Sequence, residues 1–303
     1  MKLPRWRLYQ HEHCDANYLY GSIDVLSTYA GIYPTQRFHG RIQHGFLPPF
    51  LASKNWSKSS LYQLTWSQNV EKYRSIAIGS PFLYLDVSAM PEYQSDAKSG
   101  GTLIAAPHGG VYNSFGAHFQ SPEKRFDRVR QMVSRQSADE LRSILLYWHD
   151  FINPEIRKLY ESLSLPLVCA GFPGLSGNKF ASKDVGGRST YLHALREILG
   201  NFSLLTVLEP SSVAIYAAYL GLGVSVYSDD IGYEVQHNLL MQSTEKSLLL
   251  NRHNFSYQME VMESLAQAKS SQHRKALASS FLGENFMKDR SELAQILKSG
   301  ECK

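Results

Sequence analysis

Apolar and polar positions along this chain alternate in the manner of an α/β protein. The clearest example joins an apolar segment at 202–208, a helical segment at 213–219 and a second apolar segment at 224–227. Apolar runs of this length, bounded by proline and glycine, are typical of buried strands. With a helical segment between them they predict a βαβ unit, and the rest of the chain is interpreted around that unit.

The first third of the chain carries a weaker form of the same pattern. Helices are predicted at 15–31, with Asp15 as the N-cap, and at 69–76. Short apolar runs that end at glycine or at a polar residue predict strands. The predicted strands are 41–46, 61–67 and 76–81, the last continuing into 82–85.

Strands and helices alternate more regularly from residue 102 onwards, and the pattern turns helical beyond residue 240. Pro154 marks the start of one helix, since proline is favoured at the first helical position. The predicted strands are 102–106, 143–148 and 165–170, and the predicted helices are 153–162, 189–199, 257–268, 273–281 and 288–297.

Residues 88–101 lack periodicity and collect serine, glycine, proline and charge, which is typical of a linker. We therefore predict an α/β fold with two Rossmann-like domains, at 1–96 and 97–270. C-terminal helices at 271–303 are expected to pack back toward the first domain. One continuous sheet through both halves would contradict this division.

With 303 residues, 43% hydrophobic and 19% charged, the chain has the composition of a globular protein with a large core. Cys14, Cys169 and Cys302 are far apart and lack CxxC spacing, which favours reduced thiols over a disulfide or a zinc site. No structural metal and no cofactor are predicted. Because no run of about 18 apolar residues and no signal-peptide core occur, a cytoplasmic location is predicted.

The net charge of +4 is scattered along the sequence, which argues against nucleic acid as a partner. Two basic clusters are exceptions. Either they contact anionic glycan or lipid headgroups, as in a protein peripheral to the cytoplasmic face of the inner membrane, or they are solvated surface charge. The clusters are Lys2, Arg5 and Arg7, and Lys124, Arg125, Arg128 and Arg130.

Polar residues follow the predicted strands, and in a parallel sheet these strand ends lie along one edge. Ser211 and Ser212 fall at the predicted N-terminus of a helix, where free N–H groups and the helix dipole favour an anion. The alternative is that Ser211 is only an N-cap. The further candidates along this edge are His108, His149, Gly171 and Glu209.

Two turns in the first half carry the remaining candidates. His44 ends a predicted strand and precedes Gly45, a position where open α/β sheets bind ligands. The alternative is a histidine whose hydrogen bonds order its loop. Gly79 and Ser80 form a predicted tight turn before Pro81.

These motifs together resemble the GT-B glycosyltransferases of bacterial surface polysaccharide biosynthesis. The most similar groups are the Kdo transferases of capsule and lipopolysaccharide, the bacterial sialyltransferases and the CDP-glycerol glycerophosphotransferases. The resemblance extends over about residues 38–233, and each element is two or three residues long. The motifs are His-Gly at 44–45, Gly-Ser-Pro at 79–81, Pro-His at 107–108, and Pro-Ser-Ser at 210–212 before Tyr-Ala-Ala-Tyr-Leu-Gly.

In those families the nucleotide lies between two Rossmann-like domains. The resemblance implies an acceptor domain at 1–96 and a nucleotide-sugar donor domain at 97–270, facing a central cleft, with His44 facing the acceptor. The residues it implies for binding the donor phosphate and nucleotide are His108, Ser211, Ser212, Glu209, Gly171, Gly79 and Ser80.

The implied activity is metal-independent transfer of a sugar from a CMP-linked donor of the Kdo or sialic acid type to a glycan or glycolipid acceptor. His44 is the expected catalytic base, because the unperturbed pKa of imidazole, about 6.5, suits proton transfer near neutral pH. His39 and the carboxylates of Asp15 and Glu12 are the alternatives for this role.

Three further interpretations stay open at this point. The donor is alternatively a UDP- or GDP-sugar or CDP-glycerol, whose base the loop at 171–183 is expected to hold. Asp229-Asp230 is a metal-binding pair or, more in keeping with adjacent carboxylates after a strand, a loop cap or a ligand of ribose hydroxyls. The chain is alternatively a non-catalytic Rossmann-like binding protein, or an epimerase or phosphatase on a similar scaffold.

Overall fold

The computed structural model describes residues 21–32, 38, 40–43, 45–46, 63–67, 75–85, 100–107, 121–135, 142–171, 191–227 and 245–299. The chain divides into two compact units, each built from separate stretches of sequence. Unit 1 comprises Met1–Glu92, Phe172–His193 and Ser280–Lys303, and unit 2 comprises Tyr93–Gly171 and Ala194–Ser279.

Unit 1 contains a parallel three-stranded sheet in the order β1-β2-β3, with Ile42 opposite Leu64 and Leu64 opposite Ile76. Its first helix, α1, packs against a short 3₁₀ helix and against the last helix, α9. The elements are α1 (Ser22–Ala30), β1 (Arg41–Ile42), β2 (Gln63–Thr65), β3 (Ser75–Ala77), the 3₁₀ helices Pro81–Leu85 and Glu284–Phe286, and α9 (Arg290–Ser299).

Long-range hydrogen bonds pair buried polar groups among the described residues of unit 1. The indole N–H of Trp66 donates to the carbonyl of Gln43 at 2.8 Å, and the backbone N–H of Trp66 donates to the Gln43 side chain at 3.0 Å. Tyr84 donates to the carbonyl of Ile78 at 2.5 Å and accepts from the backbone N–H of Lys288 at 2.9 Å. Residues far apart in the sequence are therefore joined by hydrogen bonds that water cannot replace inside the core.

Unit 2 is built on a parallel five-stranded sheet in the order β6-β5-β4-β7-β8. Successive strands extend the sheet to one side of β4 and then, from β7 onwards, to the other, so the direction of winding reverses between β4 and β7. The strands are β4 (Thr102–Ala105), β5 (Arg142–Leu145), β6 (Leu167–Val168), β7 (Leu204–Val207) and β8 (Gly223–Val226).

Helices cover the sheet of unit 2. Two of them, α2 and α4, pack on it through a common core in which Val129, Met132 and Tyr160 meet Ile104 and Ile144 of the central strands. Helix α7 packs along β8 and α6. The described helices are α2 (Pro122–Arg135), α3 (Trp148–Ile152), α4 (Pro154–Glu161), α5 (Tyr191–Gly200), α6 (Ser212–Tyr219), α7 (Glu245–Ala266) and α8 (Ser271–Leu282). Residues 191–193 of α5 and 280–282 of α8 are assigned to unit 1.

The expectation of an α/β protein with parallel sheets is confirmed. Several local expectations are wrong. The strand predicted at 143–148 ends at Leu145, and Trp148 begins α3. Ser75, inside the helix predicted at 69–76, belongs to β3, together with Ile76, where the predicted helix ends and the predicted strand begins. The predicted continuation at 82–85 is part of a 3₁₀ helix. Helix α2 was not predicted.

None of the described helices combines the length and the apolar character needed to cross a membrane.

Candidate functional site

The carboxyl ends of β4 and β7 lie side by side in unit 2, since Ala105 is in register with Val207. This is the point at which the winding of the sheet reverses. In open α/β sheets the segments that leave two such strands diverge to opposite faces, which opens a crevice at the carboxyl edge. The segment after β7 is Leu208 to Ser211, and it leads directly into α6.

Ser211 is the N-cap of α6. Its backbone is extended, with φ −147°, and its hydroxyl oxygen accepts from the N–H of Val213 at 3.2 Å. Capping uses one acceptor position of the hydroxyl and leaves its O–H free to donate to an anion. Ser212 is the first residue of the helix, and both serines are half-buried. Ser211 is therefore an N-cap, and this role is compatible with a second contact to a ligand.

Two buried arginines approach this edge from α2. Arg125, Arg128, Val129 and Met132 stand at positions i, i+3, i+4 and i+7 and form the buried face of the helix. Arg125 is 8% exposed and Arg128 is 5% exposed. Neither alternative predicted for this basic cluster, membrane contact or solvated surface charge, describes these two side chains. Their helical spacing with Val129 and Met132 was the signal in the sequence that the prediction overlooked.

The two guanidinium groups link α2 to the strands on both sides of β4. Arg125 forms an ion pair with Asp150, which is 3% exposed and follows β5, with Nη2 3.1 Å from Oδ1. Arg128 donates from Nη2 to the carbonyl of Leu208, which follows β7, at 2.8 Å. The start of α2 is thereby held across the carboxyl end of the sheet, and positive charge lies next to the segment that leads into α6.

Tyr160 of α4 has a buried hydroxyl that interacts electrostatically with Asp150, Arg125 and Arg128. Its side chain is fully buried, and its hydroxyl has no hydrogen-bond partner among the described residues. Burial raises the pKa of Tyr160, and the negative charges of Asp150 and Glu209 raise it further, while Arg125 and Arg128 act in the opposite direction. An unpaired hydroxyl at this depth costs stability, so it is unusual in a region with only a structural role.

Three aromatic rings follow β5 at this edge. The rings of Trp148 and His149 are stacked with centroids 3.4 Å apart and planes inclined by 29°. The ring of Tyr147 is 5.9 Å from that of Trp148 and 5.7 Å from that of His149. Tyr147 and Trp148 are half-buried and His149 is exposed. Partial burial lowers the pKa of His149 and the neighbouring Asp150 opposes this shift.

Glu209 and Gly171 both lie at the predicted edge, at different distances from Ser211. Glu209 is half-buried two residues before Ser211. Gly171 follows β6, the outermost strand; it is buried with φ 85°, and its N–H donates to the sulfur of Cys169 at 3.3 Å. With about 4.8 Å between strands, three spacings place the end of β6 about 14 Å from that of β7. The structure therefore groups Glu209 with the serines and places Gly171 farther along the edge.

Gly79 and Ser80 lie in unit 1, in a turn beneath the C-terminal segment. Gly79 has φ 75°, and a Cβ there would lie 3.0 Å from the carbonyl oxygen of Gly283. Ser80 is fully buried, its N–H donates to the carbonyl of Leu282 at 2.8 Å, and its hydroxyl accepts from Phe82 at 3.4 Å. These contacts account for both residues as parts of a structural turn. Their role in donor binding stays a prediction.

Several predicted residues lie outside the described part of the chain. Gln43 and Gly45, the sequence neighbours of His44, are described, and the Gln43 side chain donates to the carbonyl of Gly45 at 2.9 Å. Among the described residues no three His, Cys, Asp or Glu side chains come together as a metal site. The predicted residues outside the described ranges are His44, His108, His39, Asp15, Glu12, Asp229 and Asp230.

In comparisons with known proteins, no protein-family model, no curated protein and no solved structure matches the chain. The functional interpretation therefore depends on the motifs quoted above and on the geometry of the carboxyl edge.

Proposed function

We propose that the protein is a metal-independent glycosyltransferase that moves a sugar from a nucleotide-activated donor to a glycan or glycolipid acceptor in capsule or lipopolysaccharide synthesis. The observation that carries the proposal is the position of Ser211 and Ser212, at the start of α6 and next to the point where the sheet reverses its winding. Ligands of open α/β sheets bind at this point.

Glycosyl transfer requires a leaving phosphate to be stabilised as its negative charge develops. The N–H groups at the start of α6, the helix dipole and the O–H of Ser211 together supply donors and positive potential without a metal ion. Arg128 contributes a positive charge to the same region, because its guanidinium group is bonded to the carbonyl of Leu208. The proposal assigns the donor phosphate to this group of donors, with His108 as an additional ligand.

The remaining parts of the proposal concern residues outside the described ranges and the arrangement of the two units. His44 acts as the catalytic base and removes the proton of the acceptor hydroxyl. The domain at 97–270 binds the donor and the domain at 1–96 binds the acceptor, in a GT-B fold with a central cleft. The preferred donor is CMP-linked, and the protein acts in the cytoplasm or at the cytoplasmic face of the inner membrane, where a glycolipid acceptor is presented.

A nucleotide panel tests the proposal at the level of binding. A ligand at 100 times its dissociation constant raises the free energy of unfolding by about 2.7 kcal/mol, which thermal melting detects readily. We expect CMP or a CMP-sugar to stabilise the protein, with UDP, GDP and CDP-glycerol as the alternative arms. Failure of every nucleotide to stabilise it contradicts the proposal. Binding without turnover on any acceptor indicates a non-catalytic binding protein.

The role of Ser211 can be separated from its capping role by two substitutions. Asp and Asn both cap helices about as well as Ser, so Ser211→Asp and Ser211→Asn should keep the free energy of unfolding close to the wild-type value. The aspartate also places a negative charge where the phosphate is proposed to bind. We expect Ser211→Asp to bind nucleotide at least about tenfold more weakly than Ser211→Asn. Equal affinities for the two variants would reduce Ser211 to a cap.

His44 is tested by turnover. His44→Ala should lower kcat by about 100-fold to 10,000-fold, the range expected for loss of a general base, while the nucleotide dissociation constant stays nearly unchanged. His39→Ala is the matched control, since it removes the nearest alternative histidine. If His44→Ala keeps its turnover and His39→Ala loses it, His39 is the catalytic base and His44 is not.

A further inference from the structure

The three aromatic rings after β5 lie at the same carboxyl edge as the proposed donor site. Phosphate binding alone gives these rings no role. They belong to a segment of unit 2 that begins at Tyr147, immediately beyond the apolar part of β5. The neighbouring strand on one side is β4, at which the winding of the sheet reverses. A nucleotide whose phosphate lies at the start of α6 must extend its remaining parts along or away from this edge.

Strand spacing sets the distance between these two places. The order β5-β4-β7 puts two strand spacings between the end of β5 and the end of β7. At about 4.8 Å each, these amount to about 10 Å. A nucleoside 5′-phosphate separates its phosphate from its base by a single ribose, a separation of this order. The strand ends from which the two segments leave are therefore about as far apart as the phosphate and the base of a bound nucleotide.

The chemistry of His149 suits a flat aromatic ligand. One face of its ring is stacked on Trp148, while the residue as a whole is exposed. Partial burial lowers the pKa of His149, which favours the neutral imidazole around neutral pH. Nucleobases stack on aromatic side chains, histidine among them, and such stacking is a major part of base recognition.

The segment that carries His149 is also held in place. The next residue, Asp150, is buried and paired with Arg125 of α2 at 3.1 Å. An ion pair at this depth fixes the direction in which the chain leaves β5. The stacked pair is therefore pre-organised, which lowers the entropic cost of binding a base.

We infer that His149, supported by Trp148, stacks on the nucleobase of the donor, so that the nucleotide lies along the carboxyl edge from α6 to the end of β5. The inference rests on the proposed function, because it takes the donor phosphate to be at Ser211. It is an alternative to the expectation that the loop at 171–183 holds the base; Gly171 follows β6, an edge strand.

The test compares a nucleotide with its base-free counterpart. Dissociation constants of CMP and of ribose 5-phosphate are measured by calorimetry for the wild type, His149→Ala and His149→Phe. The matched control is His273→Ala, because His273 is also exposed but lies on α8, whose Arg274 contacts Leu222 at the amino end of β8, on the opposite edge of the sheet.

His149→Ala is expected to weaken CMP binding by about 5-fold to 150-fold, the range for one lost base–aromatic stack, and ribose 5-phosphate binding by less than about twofold. His149→Phe should restore CMP affinity to within a few-fold of wild type, since phenylalanine supplies a ring but neither charge nor hydrogen bonds. His273→Ala should change neither ligand.

Three results would overturn the inference. If the wild type binds CMP and His149→Ala binds it equally well, the base lies elsewhere and the proposed function stands. If His149→Ala weakens both ligands equally, the substitution disturbs the phosphate site and base stacking is not the cause. If the wild type binds no nucleotide, the proposed function fails and the inference fails with it.

Discussion

The two units differ in the hydrogen bonding of a buried tyrosine hydroxyl. Tyr84 of unit 1 and Tyr160 of unit 2 are both fully buried. The hydroxyl of Tyr84 donates to Ile78 and accepts from Lys288, so both of its roles are filled. The hydroxyl of Tyr160 has no partner among the described residues and faces the charges of Asp150 and Glu209.

The contrast extends beyond these two residues. Within the described ranges, the buried hydroxyls without a partner belong to Tyr160, Thr206 and Tyr227, all in unit 2. An unpaired buried polar group costs about 1–3 kcal/mol, and proteins retain such groups mainly where function requires them. The described part of unit 1 thus has the polar core of a structural scaffold, whereas unit 2 carries unpaired and charged groups near the carboxyl edge of its sheet.

The largest effect on stability is expected from breaking the buried ion pair. Asp150→Ala removes the carboxylate from the buried guanidinium group of Arg125 and should lower the free energy of unfolding by about 3–5 kcal/mol. Denaturant unfolding measures this change. The double variant Arg125→Met/Asp150→Leu removes both charges and should recover most of the loss. A cost below about 1 kcal/mol for Asp150→Ala would show that solvent screens the pair.

Tyr84→Phe should lower the free energy of unfolding by about 1–3 kcal/mol, because it leaves the carbonyl of Ile78 and the N–H of Lys288 without their partner. The matched control is Tyr29→Phe. The ring of Tyr29 packs edge-on against that of Tyr84 at 4.8 Å, and the substitution keeps this contact. If both substitutions lower the free energy of unfolding by the same amount, the hydrogen bonds of Tyr84 make no specific contribution to stability.

Alkaline pH should destabilise each unit through one buried tyrosine, Tyr84 in unit 1 and Tyr160 in unit 2. Burial raises the pKa of Tyr84 and of Tyr160 above the ordinary value of about 10. Above that pH the unfolded chain releases these protons while the folded chain keeps them, so stability is complete below about pH 10 and falls as pH rises. Each tyrosine contributes a slope of up to about 1.4 kcal/mol per pH unit. Tyr84→Phe should reduce the slope by one such contribution in unfolding measured from pH 9 to 12.

Tyr160→Phe is expected to have the smallest effect and gives the sharpest contrast with Tyr84→Phe. The substitution removes a hydroxyl without a partner, so the free energy of unfolding should stay unchanged or rise by up to about 1 kcal/mol. A loss larger than about 1 kcal/mol would mean that the hydroxyl is paired, and the difference between the two units would disappear.

Local sequence signals were sufficient where the determinants of structure are local. Helix α4 was predicted at 153–162 because Pro154 suits the first helical position, and the structure gives Pro154–Glu161 with Asn153 as the N-cap. Trp148 was assigned to a strand because the apolar run after Ser143 has no break that marks the start of α3. Periodicity alone does not separate a buried strand from a short helix.

The candidate site was predictable only in part. The serines at the start of α6 were recognised from a motif of adjacent residues. That β4 and β7 are adjacent in the sheet depends on the strand order, which no local sequence pattern encodes. Arg125 and Arg128 were taken for surface or membrane-facing charge because arginine is rarely buried. Their partners Asp150 and Leu208, which help to make burial favourable, are 25 and 80 residues away in the sequence.

The hydrogen bond between Lys288 and Tyr84 has a consequence for synthesis on the ribosome. It joins residues 204 positions apart, so at about 5–20 residues per second Tyr84 waits about 10–40 s for its donor. All of unit 2, which ends at Ser279, emerges during that interval. Unit 1, which also includes Ser280–Lys303, is therefore complete only after all of unit 2 has been synthesised.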